Sequence, residues 1–298
     1  MRFRRLLSGD PDGVPPWLGV VAAGEDVGYF EPTDAPWVIH ADFGTLVGGI
    51  RALLMQALHP GSLTGVKNHS RYEQDPLGRL AGTIRWLTVT TFGSKEAVAN
   101  EASRVNRLHE RVKGEYQSAD AKQIAYRAAD ADLLLWVHIA FMESFLVAHE
   151  MYSGTPIPIG KFATGADNYV AQWSLSVKPL GLETAPLSKA ELDSQISEIY
   201  QRGILFASED TVRVVDFIRR PPLPRAAKPI YNLLFEAAAV SLRPEFATML
   251  GLRPKPRWII QPLTRAVLRL MRFAIGPESP IEEAALARIA RVKALQNK

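Results

Sequence analysis

Leu133–Val147 reads LLLWVHIAFMESFLV, the most apolar run in the chain, and its interpretation decides the fold. It is short for a membrane-spanning helix and carries His138 and Glu143 within it, so a buried core helix is the expectation. Asp130 is a good N-cap for that helix, which runs through Tyr152 until Ser153-Gly154-Thr155-Pro156 ends it. A helix that is apolar on nearly every face needs neighbours on every side, and the flanking sequence supplies them. Thr45–His59 places Leu46, Ile50, Leu53, Leu54, Ala57 and Leu58 at helical spacing, with Pro60-Gly61 as the stop. Residues 60–78 read as a polar loop.

Arg79–Phe92 reads as a second helix, although its many β-branched residues make a strand the competing assignment. Ser94 N-caps a helix over Lys95–Lys113, with Gly114 as its C-cap, and residues 119–127 form a short helix or turn. Further helices are expected at Ala166–Ser176, Lys189–Phe206, Thr211–Ile218, Ile230–Ser241, Arg243–Leu250, Leu263–Phe273 and Ile281–Leu295. No strand series and no solenoid repeat is evident. The expectation is an all-α single domain over residues 1–298. An irregular arm (1–42) precedes a helical core (43–218), and a basic helical extension (219–298) follows the rigid RRPPLPRAAKP segment.

A chain of 298 residues, 47% apolar and 22% charged, can bury a substantial core. The absence of cysteine excludes disulfides, thiolate metal sites and cysteine nucleophiles. Charge is unevenly spread: residues 1–212 carry 19 Lys+Arg against 25 Asp+Glu, and residues 213–298 carry 16 against 6. A basic C-terminal region calls for an anionic partner, whether a membrane surface, a nucleic acid or an acidic face of the same protein. Base-stacking aromatics are not interleaved with the arginines, which argues against nucleic acid. The N-terminal MRFRRLLSGDPDG lacks an apolar export segment, so a cytoplasmic protein is expected. Dinucleotide, P-loop and nucleophile-elbow motifs are missing, and HERVK at 109–113 lacks the second histidine of a zincin.

Three constellations are able to carry chemistry. Val98, Ala102, Val105, His109 and Val112 fall on one helical stripe, which aims His109 inward. It is either a core histidine bonded to a carbonyl or a metal or haem-iron ligand. Lys113, read as one turn further on the same side, would pair with a propionate or an acidic substrate; otherwise it is an exposed charge at a helix end. Arg79 and Thr83, four apart, share a face if helical, where they serve a carboxylate and a small ligand or are merely solvated. His138, Glu143 and His149 do not share a face, so they make a poor three-ligand metal site, and Glu143 should be paired or have a raised pKa. The loop His69-Ser70-Arg71-Tyr72 clusters donors that would cover a pocket or simply structure the loop.

The ordered set ALHPGSLTGVKNHSRYEQDPLGRLAGTIRWLTVTTFGS, RVNRLHERVKG and DADLLLWVHIAFMESF, spread over Leu53–Tyr152, resembles the MpaB-type oxygenase family. Its best-known relatives are the latex-clearing proteins, or rubber oxygenases. The resemblance implies an all-α, globin-like core around a b-type haem. His109 takes the place of the proximal iron ligand, Lys113 that of a nearby arginine, and Arg79 with Thr83 that of the distal R-x-x-x-T pair. Gly82 stands where the latex-clearing proteins have a distal lysine, and no motif places their candidate catalytic carboxylate. Their secretion and the missing export signal here point away from rubber itself. The implied activity is haem-dependent oxidation by dioxygen of a lipophilic, isoprenoid-like unsaturated substrate. Arg79, Lys113 and Thr83 would serve cofactor and pocket, and the basic C-terminal region would touch a membrane peripherally. A haem sensor or carrier without turnover and a haem-free apolar-ligand protein are the alternatives.

Overall fold

The computed structural model describes residues 15–69, 76–276 and 279–296, with side chains left out at 76–81 and 275. Within these residues the chain is all-α apart from one small hairpin. The helices are α1 (Leu18–Ala22), α2 (Ala35–His40), α3 (Gly44–Gln56), α4 (Pro60–His69), α5 (Pro76–Phe92), α6 (Lys95–His109) and α7 (Ala131–Tyr152). They continue as α8 (Gly165–Trp173), α9 (Lys189–Gln201), α10 (Glu209–Arg219), α11 (Lys228–Ser241), α12 (Pro244–Met249), α13 (Arg257–Ile275) and α14 (Pro280–Gln296). A 3-10 turn, Ser174–Leu180, extends α8.

Helix α7 is long and apolar enough to cross a membrane by length and composition, yet it is the axle of the core. Trp136, Ile139, Ala140, Met142 and Leu146 are fully enclosed, and α3, α8, α11 and α13 pack around it. The closest crossing is with α3. A side-chain carbon at Gly48 would lie 2.6 Å from the Phe145 ring and 3.2 Å from the Ser144 carbonyl, so only hydrogen fits there.

Helix α5 is a helix despite its β-branched residues. Thr88 and Thr91 donate their hydroxyls to the carbonyls of Ile84 and Leu87 one turn back, which satisfies them inside the helix. Ser94 caps α6 by accepting from the Ala97 amide. Helices α5 and α6 pack as a helical hairpin, fastened where Glu101 meets Arg85 at 2.9 Å and Arg104 at 2.6 Å.

Three local expectations are corrected. Residues 60–69 are helical: Pro60 starts α4 instead of merely stopping α3, as suits a residue whose missing N–H costs nothing at a first turn. Helix α6 ends at His109, not Lys113, and Lys113 begins a strand. That strand, β1 (Lys113–Gln117), pairs antiparallel with β2 (Gln123–Arg127), Gly114 opposite Tyr126 and Tyr116 opposite Ile124, where a helix or turn was expected. Gly114 is therefore no helix cap. A Cβ there would come 3.2 Å from the Tyr126 ring, which lies across the strand.

The C-terminal region returns to the body. Helix α11 packs on α3, α13 on α7 and α11, and α14 on α1 and α5. The buried Arg288 guanidinium of α14 donates to the carbonyls of Val21 and Val27, beneath a second apolar cluster of Trp17, Trp37, Phe92, Ala285 and Ile289.

Candidate functional site

Residue His109 closes α6 and is half-buried, and its Nδ1 lies buried without a hydrogen-bond partner. Burial lowers its pKa, so the ring is neutral at pH 7. The stripe beneath it starts at the enclosed Val98 and Ala102 and opens outward through Val105. The helical hairpin sets what lies opposite. From the Arg85–Glu101 pair, two turns in opposite chain directions (about seven residues) bring the backbone at 79 level with that at 109. The backbone at Arg79 thus lies toward the His109 end of the α5–α6 pair, and Thr83, at the middle of α5, sits one turn nearer the Arg85–Glu101 pair. The side chain of Arg79 lies outside the described residues, as do Ser70, Arg71 and Tyr72. At Gly82 a Cβ would meet nothing within 4 Å.

Lys113 is not one helical turn beyond His109, because the helix has ended. It is exposed at the start of β1, its carbonyl accepts from His69 Nε2 at 3.0 Å, and it lines an open cleft of about 360 Å³ with Glu115, Tyr126, Arg127 and Asp130.

Of the other histidines, His40, His59, His69 and His149 have hydrogen-bond partners. His40 Nδ1 lies 2.7 Å from Thr91 Oγ1 and its Nε2 3.0 Å from Tyr169 Oη. The Thr91 proton already goes to Leu87, so Nδ1 donates and Nε2 accepts from the phenol. His59 Nδ1 accepts from the Gly61 amide at 3.1 Å, and His149 Nε2 donates to the Thr155 carbonyl. His138 is enclosed in α7 with Nε2 unpartnered. The three polar residues of α7 do go to different places, and among the described residues no group of three His, Asp or Glu could hold a metal ion.

Glu143 is paired. Its carboxylate meets Arg51 at 2.7 Å and Arg243 at 3.0 Å, and Arg243 also reaches Asp193 at 2.8 Å. Burial alone would raise its pKa, but the two guanidinium groups outweigh that and hold the carboxyl below the usual range. It is an internal charge and no proton donor at neutral pH. An unpartnered apolar helix signals that such a residue needs a cation, but Arg243 lies 100 positions away and nothing local pointed to it.

Burial holds His40 and His138 at about 3 and His59 at about 4, against 6.5 for a free imidazole. Below pH 6.5 the unfolded chain takes up protons that the fold refuses, so stability is full above that pH and falls between 6.5 and 3. Each such ring costs about 1.4 kcal/mol per pH unit, roughly 4 kcal/mol for the three at pH 5.5. Urea midpoints at pH 7.5, 6.5 and 5.5 should drop mostly over the last step; a flat series would mean that these rings are charged in the fold.

The fold and site define a helical protein with one neutral, incompletely bonded histidine at the open end of a helical hairpin. The family model for the catalytic domain of "ER-bound oxygenase mpaB/B'/Rubber oxygenase" matches residues 37–274, and the chain belongs to that family. No curated protein and no solved structure matches it. The match begins in α2 and ends in α13, so it spans the α7 core, the α5–α6 hairpin and the first helices of the C-terminal region.

Proposed function

We propose that this chain is a haem b-dependent oxygenase that brings dioxygen to a lipophilic, unsaturated substrate of isoprenoid type. The oxygenase family supports the reaction class. The observation behind the haem is His109: a neutral imidazole with a buried nitrogen lacking a partner would suit an iron ligand, and the other two rings with an orphaned nitrogen, His138 and His149, are enclosed in α7. One protein ligand suffices for haem, and on the neighbouring α5 a Cβ at Gly82 would meet nothing within 4 Å.

His109 holds the iron and fixes the cofactor to α6. Arg79 and Thr83, one turn apart on α5, bind an acidic edge of the cofactor and orient the small oxidant. Lys113, exposed four residues after the ligand, adds positive charge for a carboxylate at the mouth. When bound, the haem supplies the redox chemistry with dioxygen. The protein contributes ligation, pocket polarity and the exclusion of water.

Absorption spectra of the purified chain, before and after haemin addition, test the reading. A Soret band at about one haem per chain, with oxygen uptake on a panel of unsaturated long-chain lipids, is expected. A chain that stays colourless with haemin removes the cofactor, and a haem protein that consumes no oxygen with any of them is a carrier or sensor.

A further inference from the structure

Helix α13 has three faces. Ile260, Thr264, Leu268 and Met271 are buried against the body. Arg265, Arg269 and Arg272 follow one another along the next face, with Trp258, 77% exposed, at its start. The outward face carries Ile259, Leu263, Ala266, Leu270 and Phe273, spaced four, three, four and three, which at 100° per residue is a continuous apolar stripe about 21 Å long. Leu270 is 66% and Phe273 89% exposed. A single exposed leucine needs no explanation, but an unbroken row of large apolar side chains along one helix does.

The charge beside the row says what covers it. Helix α13 has four arginines and no acid, and the exposed Arg253 and Lys255 lead into it. The basic excess of residues 213–298 is partly internal: Arg243 serves Glu143, Arg288 serves carbonyls and Lys293 meets Glu31. On α13 it is mostly external. Arg269 is exposed, Arg272 reaches Asp42 only at 3.4 Å, and Arg265 is tied to the Met151 carbonyl at 2.7 Å. A second copy on this face would pack two acid-free, arginine-bordered helices together with nothing to neutralise them. Anionic headgroups supply that charge, the stripe enters the acyl boundary, and Trp258 sits at headgroup level among the arginines.

We infer that α13 is an in-plane anchor that docks this protein on an anionic lipid bilayer, through the Ile259–Phe273 stripe and the arginine row beside it. The docking is independent of the haem reading, since it needs neither cofactor nor substrate.

Co-sedimentation of the full chain with vesicles tests it. Phosphatidylcholine vesicles containing one third phosphatidylserine should bind the wild type, and pure phosphatidylcholine should bind at least about tenfold less; added salt should weaken the first. Leu270→Glu with Phe273→Glu should lower binding to the anionic vesicles by well over tenfold, since each removes a large apolar side chain from the bilayer. Both residues are exposed, so thermal unfolding should hardly change. Leu187→Glu, the same kind of change at an exposed site off α13, should leave binding within about twofold. Failure to bind the anionic vesicles overturns the proposal, as does binding that survives the double substitution. A wild-type dimer that the double substitution dissociates, without lipid binding, also overturns it and makes the face a self-association surface.

Discussion

His109→Ala is expected to take up at least about tenfold less haem than wild type, losing the Soret band expected of wild type with haemin. The imidazole is held by the last turn of α6, its burial keeps it neutral at pH 7, and its Nδ1 has no partner to give up when iron binds. The ring is half-buried, so its removal should cost little stability, and unfolding curves of the two proteins should nearly superimpose. Added free imidazole should restore the band in His109→Ala by entering the space the side chain leaves. His138→Phe and His149→Gln should keep the band, because those side chains lie in α7 and His149 already serves the Thr155 carbonyl. An undiminished band in His109→Ala would move the ligand elsewhere and end the assignment of α6 as the haem helix.

Arg51→Met should be the most destabilising of the simple substitutions. Arg51 is enclosed; it meets Glu143 at 2.7 Å, donates to Ser144 Oγ at 2.9 Å and reaches the Ser241 carbonyl at 3.2 Å. It joins α3, α7 and the end of α11 through one guanidinium. Its loss leaves Glu143 buried with Arg243 as the remaining cation, a change that costs about 3–5 kcal/mol. At roughly 2–4 °C per kcal/mol for a chain of this size, the unfolding midpoint should fall by about 6–15 °C. Arg51→Met combined with Glu143→Leu should recover at least half of that, because the charge that needed pairing has gone. Thermal unfolding of the single and double variants decides it. A neutral single variant would mean that Arg243 alone suffices for Glu143.

The same glutamate shows where sequence reading stops. An acid inside an otherwise apolar helix must be paired or protonated, so its need was legible at position 143. The partners were not, because Arg51 arrives from a helix 92 positions before it and Arg243 from the turn between α11 and α12, 100 positions after it. Local periodicity carries the direction in which a side chain points but not the identity of what it meets.

The hairpin was missed for a related reason. KGEYQ and QIAYR are short, half-exposed and only weakly alternating, and the Val98–Val112 stripe runs up to the first of them at helical spacing. What makes them strands is each other, with the Tyr116 and Tyr126 rings tilted together at 6.1 Å and laid over Gly61 and Gly65 of α4. Two strands of five residues have no independent stability; their pairing exists only against that helix.

The all-α class, the central place of α7 and the cap that starts α6 are legible in the sequence alone, because helical spacing, caps and apolar runs are local physics. The tertiary structure alone decided that α6 ends at His109, that Lys113 sits on a strand, that the basic C-terminal arginines divide between internal pairing and one exposed face, and that α14 closes on the N-terminal helices. Those outcomes depend on contacts between segments far apart in the chain, whose energies no single window of residues contains.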